Sequence, residues 1–332
     1  MPRKKHYNNP MPAGMNFLND FENKYPNCWN EIDKFINNSS NTSRINHKEL
    51  VKYEANSLSG LLRFKYKTYL LNNEKKIEEL FLCLYSWKEH KQIFNFDREL
   101  FDILIEQATD FENINIPYET LLHPFFPVIY VNNHIGGYDG FFAFFDELFW
   151  EDSYLVLNFL LINSVDDTDF ISIPLNPNET LKESLKHTNF SDDNNDNDIL
   201  ILSSQLLQLF LYLCAENKDV ESCQTGRKST IKNTYKELNI WNVGLRIGNS
   251  IRKGQAQNDQ IVQEDDIVTS DEISSLEKQH KRKRAHSRRG HWHHYWKGSK
   301  KSNNQYLVLK WIAPTFINCT DDNKPFVQHS IE

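Results

Sequence analysis

A basic segment rich in aromatic residues near the C-terminus carries the clearest chemistry in this sequence. It runs from Lys281 to Lys297 as Lys-Arg-Lys-Arg-Ala-His-Ser-Arg-Arg-Gly-His-Trp-His-His-Tyr-Trp-Lys, and no acidic residue occurs between Lys278 and Lys301. Lysine and arginine neutralise phosphates, while Trp, Tyr and His rings stack on unpaired bases. Arginine does both, since its planar guanidinium makes bidentate hydrogen bonds to phosphate and stacks on bases. The segment therefore has the composition of a surface for single-stranded RNA or the ribosome.

Two other interpretations of the same segment stay open at this point. In the first, Trp292 and Trp296 are buried structural residues and the cations are simply solvated. In the second, His291, His293 and His294 perform catalysis or bind a metal ion. A closed zinc site needs four ligands at suitable spacing, and a histidine ribonuclease needs a tuned acid–base pair. The sequence supplies the histidines without an identifiable partner, so we expect a binding protein with no cofactor, no bound metal and no enzymatic activity.

A strand is predicted directly after the basic segment. The run from Gln305 to Ile312 alternates between two faces, and Pro314 ends it. A basic aromatic loop held against such a strand would present a binding surface. The candidate RNA-binding residues are Lys281, Arg282, Lys283, Arg284, Arg288, Arg289, Gly290, His291, Trp292, His293, His294, Tyr295, Trp296, Lys297, Lys310 and Trp311.

Composition limits the class of protein. The chain has 332 residues, of which 39% are hydrophobic and 13% aromatic, so it can form a real core and is not wholly disordered. The net charge of -7 confines any nucleic-acid binding to a local patch. Five scattered cysteines without a CxxC pair fit a reducing cytoplasm. Without a run of 18 apolar residues or a signal core, we expect a cytoplasmic protein with no membrane partner.

Periodicity predicts an α+β fold in four parts. Residues 1–115 form a mostly helical N-terminal region, 116–253 an α+β core, 254–277 an acidic linker or exposed loop, and 278–332 the basic aromatic segment followed by a strand. The core should contain a central antiparallel sheet with packed helices, because its strand patterns follow one another without a helix between each pair. These patterns are Pro127–Val131, Phe141–Leu148, Tyr154–Ile162 and Phe170–Ile173.

Helical patterns flank these strands. The clearest in the N-terminal region are Lys75–Lys91 and Asp97–Gln107. Beyond the strands, Pro177–His187 suggests a short helix capped by Asn178, and Ile199–Ala215 is an apolar core helix. The polar run 191–198 between these two predicts a mobile loop.

A further helix is predicted over Trp241–Arg252. Its glycines, Gly244 and Gly248, are spaced by four, which predicts tight helix packing because a glycine in a helix costs stability unless it allows close approach. With Arg246 and Arg252, they form the predicted helix-packing motif.

Two blocks near the C-terminus form a distinctive signature: Arg288–Gly298, which reads Arg-Arg-Gly-His-Trp-His-His-Tyr-Trp-Lys-Gly, and Leu309–Asn318, which ends in Phe-Ile-Asn. This signature resembles that of the second type V-A anti-CRISPR family. The glycine motif, the segment ending Leu-Tyr-Leu-Cys-Ala-Glu216 and the aromatic run Gly140–Asp146 are similar too, and occur in the family's order. The resemblance spans roughly Ile116 to Asn318.

The resemblance implies an inhibitor of type V-A CRISPR immunity that does not block the assembled nuclease. It would recognise the nascent N-terminal polypeptide of the effector, after which the message is degraded. Such a protein needs a peptide groove and a surface for RNA or the ribosome. Aromatic residues and a sheet edge would line the groove, with core packing as the alternative for most of the rings. The groove candidates are Tyr130, Tyr138, Phe142, Phe144, Trp150 and Tyr154.

Two other functions stay open. One is an RNA- or ribosome-binding protein of a mobile element without a CRISPR target, and the other is a histidine-dependent ribonuclease.

Overall fold

A central sheet with helices on both faces organises the chain, which therefore has the predicted combination of α and β structure. The computed structural model describes residues 11–30, 33, 74–108, 115–122, 126–148, 154–188, 194–223, 238–267, 286–299 and 305–317.

The described helices and strands follow one another in mixed order. The helices are α1 (Ala13–Lys24), α2 (Glu74–His90), α3 (Arg98–Gln107), α4 (Tyr118–Leu121), α5 (Leu181–Lys186), α6 (Asn194–Cys214) and α7 (Leu245–Ile267). The strands are β1 (Gln92–Phe96), β2 (Val128–Val131), β3 (Gly140–Leu148), β4 (Tyr154–Ser164), β5 (Asp167–Leu175), β6 (Val220–Ser222), β7 (Asn239–Val243), β8 (His286–Arg288), β9 (His291–Lys297), β10 (Tyr306–Ile312) and β11 (Thr315–Ile317).

The central sheet has seven strands in the order β5-β4-β3-β2-β1-β7-β6. The predicted antiparallel meander is present from β2 to β5. The sheet is mixed rather than purely antiparallel, because β1 pairs in parallel with both β2 and β7. Sequence analysis missed β1, a short apolar run between two strong helical patterns. Its central position makes the predicted N-terminal region part of the same sheet.

Both faces of the sheet are covered. Along β3, Phe141 and Ala143 join one core with α3 and α6, while Phe142 and Phe144 join a second core with α1 and α2. Alternating side chains of a strand point to opposite faces, so a strand that is aromatic at successive positions requires two covered faces. This explains why the aromatic run reads as continuous rather than alternating.

Most predicted helices are confirmed, and two details differ. α2 and α3 match their predicted spans, but α5 is capped by Thr180 in a capping box with Glu183 rather than by Asn178. The helix α6 begins at Asn194, inside the predicted loop 191–198.

One window of α6, Asn197–Cys214, is long and apolar enough to cross a membrane, yet 67% of it is buried inside the fold.

The region around α7 differs most from prediction. Residues 241–243, predicted as the start of a helix, belong to β7, and Gly244 follows with φ of 79° as the turn into α7. The predicted acidic linker is helical as far as Ile267, whereas 268–277 lie outside the described residues.

Candidate functional site

The described part of the basic aromatic segment, from His286 onward, forms β8 and β9 rather than a loop. β9 pairs antiparallel with β10 in the register Lys297–Tyr306 to His291–Ile312; we call this pair the ribbon. Directly paired residues share a face. Three pairs on the outer face are His293–Lys310, Tyr295–Val308 and Lys297–Tyr306, and the inner face carries Trp292–Trp311, His294–Leu309 and Trp296–Leu307.

Trp311 anchors the inner face to the main body. It is 2% exposed and meets the Tyr212 ring edge-on, with 5.5 Å between the ring centroids. Its Nε1 donates to Oε1 of Gln107 at 3.1 Å, and the Gln107 amide donates in turn to the carbonyl oxygen of Gly290. Helix α3, which ends at Gln107, thus holds β10 through Trp311 and the start of β9 through the preceding Gly290.

Two further contacts fix the ribbon. Asn217, just after α6, accepts from the Trp311 backbone N–H at 3.2 Å and donates to its carbonyl oxygen at 2.6 Å, as a neighbouring strand would. The Lys297 ammonium lies 3.2 Å from the Glu216 carboxylate, which raises the pKa of Lys297. Both partners are exposed, so this ion pair contributes little stability.

Gly290 allows the chain to pass over Trp311. A Cβ at Gly290 would lie 2.7 Å from Cζ2 of Trp311 and 3.0 Å from the carbonyl oxygen of Ile312. Only glycine fits this crossing without displacing the tryptophan. Gly290 and Trp311, predicted as RNA-binding candidates, therefore act here as anchors of the ribbon.

The outer face leaves aromatic rings in solvent. Tyr295 is 42% and Tyr306 53% exposed. The ring centroid of His293 lies 4.6 Å from that of Tyr295, and the Lys310 ammonium lies 5.8 Å from the centre of the Tyr295 ring. Rings and cations thus lie side by side on this face, as the composition of the segment indicates.

The two tryptophans of β9 have different environments. Trp292 is half-buried and packs, beside Trp311, against the core that the sheet forms with α3 and α6. Trp296 is 66% exposed and pairs with Leu307, which is 51% exposed, at the end of the ribbon. The interpretation in which both tryptophans are buried is therefore wrong for Trp296.

Two arginines extend the positive charge beyond the ribbon. Arg288 and Arg289 are both exposed, and the part of the chain that the structure describes places no acidic side chain in an ion pair with either. The candidates Lys281, Arg282, Lys283 and Arg284 lie outside the described residues.

The three histidines do not form one cluster. His291 and His293 share the outer face, with their ring centroids 6.4 Å apart, whereas His294 belongs to the inner face because side chains alternate along a strand. Within the described ranges, no three His, Cys, Asp or Glu side chains are grouped to hold a metal ion. The described structure therefore does not bring these three histidines together in one site.

The glycine–arginine motif clamps α7 to its neighbours. Arg252 makes two hydrogen bonds, at 3.0 and 2.9 Å, to the Asp97 carboxylate, which also caps α3. Gly248 lies directly against Asp97, where a Cβ would overlap the carboxylate. The carboxylate of Asp97 is thereby shared between two helices, and its hydrogen bonds to Arg252, with the opposite charge beside them, raise the pKa of Arg252.

Arg246 makes the second half of this clamp. Its Nε donates to the Asp219 carboxylate at 2.6 Å, and its backbone N–H donates to the other oxygen at 2.8 Å. The Gly244 N–H donates to the Asp219 carbonyl oxygen at 2.7 Å. The motif thus fastens the unit formed by β7, the turn at Gly244 and α7. The prediction, in contrast, places both glycines in one helix.

The peptide-groove candidates separate into buried and surface residues. Tyr130 and Phe142 are fully buried and Phe144 is 8% exposed, in the core beneath α1 and α2. They cannot line an open groove, and this part of the prediction is corrected. Tyr138 is half-buried, with its hydroxyl donating to the Asp169 carboxylate. The remaining two are Trp150, which lies outside the described residues, and Tyr154, which begins β4.

Sequence analysis missed the polar residues that position the ribbon and α7. Gln107, Asn217 and Asp219 carry no motif of their own, and each meets its partner from a distant part of the chain. Asp97 could have been found, because an aspartate before an apolar helical pattern is a typical N-cap.

Comparison with known proteins places this arrangement in a family. Among solved structures, the crystal structure of AcrVA2 is similar, with a TM-score of 0.57 and 19% sequence identity over 93% of this chain and 100% of that chain; this likeness shows a shared fold. No curated protein matches the chain. The model of the anti-CRISPR type V subtype A2 family matches residues 94–319, from β1 past β11. That match covers more than half of the sequence, and the chain belongs to the anti-CRISPR type V subtype A2 family.

Proposed function

We propose that this protein recognises the nascent N-terminal polypeptide of a type V-A CRISPR effector nuclease and lowers the effector's messenger RNA and protein. The observation that carries the proposal is the family match over residues 94–319, which includes the sheet, the α7 clamp and the ribbon. Family membership implies a CRISPR effector as target in general. We place the protein in the cytoplasm of the bacterial host, where it acts as an adaptor rather than as an enzyme.

The edge of the central sheet supports peptide recognition. A peptide can add to a sheet where an outer strand leaves backbone groups unpaired. β5 is the outermost strand on one side, and among the described strands it pairs only with β4. Tyr138 lies beside this edge through its hydrogen bond to Asp169. We assign the peptide to β5, next to Tyr138, since the other described groove candidates with placed side chains are buried.

A peptide-binding experiment tests this assignment. The probe is a fluorescent synthetic peptide with the N-terminal sequence of a type V-A effector, and a scrambled peptide is the control. We expect saturable binding to the native peptide alone, and Tyr138→Ala to weaken it about tenfold, as truncation of a contact residue does. The matched variant Tyr118→Ala removes another half-buried tyrosine of the same core and should leave affinity unchanged. Absence of binding at high micromolar concentration contradicts the proposal.

Loss of the message needs no nuclease centre in this chain, because cellular ribonucleases can cleave it. We therefore expect the purified protein to leave RNA intact. Cleavage by the purified protein that is lost in His291→Ala or His293→Ala would make it a histidine-dependent ribonuclease instead.

A further inference from the structure

The outer face of the ribbon combines the two kinds of group that unpaired nucleic acid requires. Tyr295 and Tyr306 expose 42% and 53% of their surfaces, and the Lys310 ammonium lies 5.8 Å from the centre of the Tyr295 ring. Rings on a sheet face stack bases in RNA-binding domains, because every base has a π face. We propose that this face binds single-stranded nucleic acid, with bases on the rings and phosphates on the surrounding cations.

The strand register places two neighbouring aromatic rings on this face, and a base can stack on each. Tyr295 pairs with Val308, so Tyr306 is its diagonal neighbour across the strands. Diagonal neighbours lie about 7–8 Å apart, within reach of each other's aromatic rings. A strand of nucleic acid can therefore place one base on each tyrosine. The His293 ring lies tilted beside that of Tyr295, with 4.6 Å between the ring centroids, and extends the same row.

The positive charge around the outer face favours a polyanion as its ligand. Residues 286–299 and 305–317 contain no Asp or Glu, although the whole chain has a net charge of -7. Arg288 and Arg289 are exposed beside the ribbon, and their guanidinium groups can both fork onto phosphate and stack on bases. Lys297 contributes less, because Glu216 already offsets its charge. An apolar protein partner would leave these cations buried and unpaired, which is costly.

Fluorescence anisotropy with the purified full-length protein tests the proposal. The probes are a labelled unstructured single-stranded RNA and a DNA of the same sequence, titrated at several salt concentrations. We expect saturable binding that weakens as salt rises, since phosphate contacts release counterions. Tyr295→Ala with Tyr306→Ala should weaken binding by at least about tenfold. Arg288→Ala with Arg289→Ala should lower the slope of log affinity against log salt by about 0.7 for each phosphate contact removed.

Lys253→Ala is the control for the charge variants, because Lys253 is an exposed cation on α7. Its neighbour Arg252 binds Asp97 at the start of α3, whereas the ribbon binds Gln107 at the end of that helix. It should retain wild-type affinity and salt slope. Tighter binding of RNA than of DNA would support single-stranded RNA as the ligand, and equal binding would support unpaired nucleic acid in general. Wild-type protein that binds neither probe, or a double tyrosine variant that binds as wild type, would overturn the proposal.

The same variants separate this inference from peptide recognition. Both double variants should bind the effector peptide as wild type does, since β5 and the ribbon are different parts of the fold. Loss of peptide binding in the tyrosine variant, together with no nucleic-acid binding by the wild type, would make the outer face a protein interface and overturn the proposal.

Discussion

The central sheet and the ribbon both carry dense aromatic residues, but they place them in different environments. In the sheet, Phe142 and Tyr130 lie beneath α1 and α2 and are fully buried. In the ribbon, the inner face is anchored by Trp311, while Tyr295 and Tyr306 on the outer face remain 42% and 53% exposed. The number of covered faces, rather than aromatic content, decides whether a ring stabilises the fold or is available to a ligand.

This comparison predicts the largest effect in the sheet. Phe142→Ala removes a ring that packs edge-on against Trp87 and beside Tyr130, and it leaves a cavity in a closed core. We expect the free energy of unfolding to fall by about 3–5 kcal/mol. Urea denaturation followed by circular dichroism measures it. A loss below about 1 kcal/mol would mean that the second core is not closed.

A smaller loss of stability is expected where the chain at Gly290 passes over Trp311. Gly290→Ala adds a methyl group 2.7 Å from Cζ2 of Trp311, and overpacking of this kind costs about 2 kcal/mol. The loss should appear in the same denaturation experiment. An unchanged midpoint would show that the crossing can relax without cost.

The anchor itself offers a conservative test. Trp311→Phe keeps an aromatic ring but removes the hydrogen bond to Gln107, so we expect a loss of about 1 kcal/mol. The substitution also removes the atom that the methyl group at Gly290→Ala would meet. The double variant should therefore lose less stability than the sum of the two single losses. Strict additivity would show that the two residues do not meet.

The smallest effect on stability belongs to the exposed end of the ribbon. Trp296→Ala should change the free energy of unfolding by less than about 0.5 kcal/mol, because the ring is 66% exposed. We compare it with Phe142→Ala in the same denaturation measurement, because each substitution removes a large aromatic ring. A loss comparable to that of Phe142→Ala would remove the distinction between the two regions.

Sequence patterns identified the elements that depend on local periodicity. The hairpin of β3 and β4 and the helices α2 and α3 follow from apolar spacing, and β10 follows from an apolar run that Pro314 ends. The short strand β1 was missed, because an apolar run of a few residues cannot be assigned by periodicity alone. Its parallel pairing with β2 and β7 depends on distant partners.

The candidate site was predictable in composition but not in orientation. The segment 281–297 indicated cations and rings, and the resemblance indicated the family. Which rings face solvent depends on Gln107 and Asn217, which bind the ribbon from α3 and the end of α6. Likewise, the groove candidates of β2 and β3 were buried by helices whose packing onto those strands no local pattern encodes.

Effector messenger RNA in bacteria that co-express this protein and a type V-A nuclease tests the central claim most directly. One reporter keeps the native N-terminal codons, and a second carries nearly the same RNA with a frameshift through that stretch. Nascent-peptide recognition predicts loss of message from the first reporter alone. Equal loss from both reporters, or loss from neither, would contradict it.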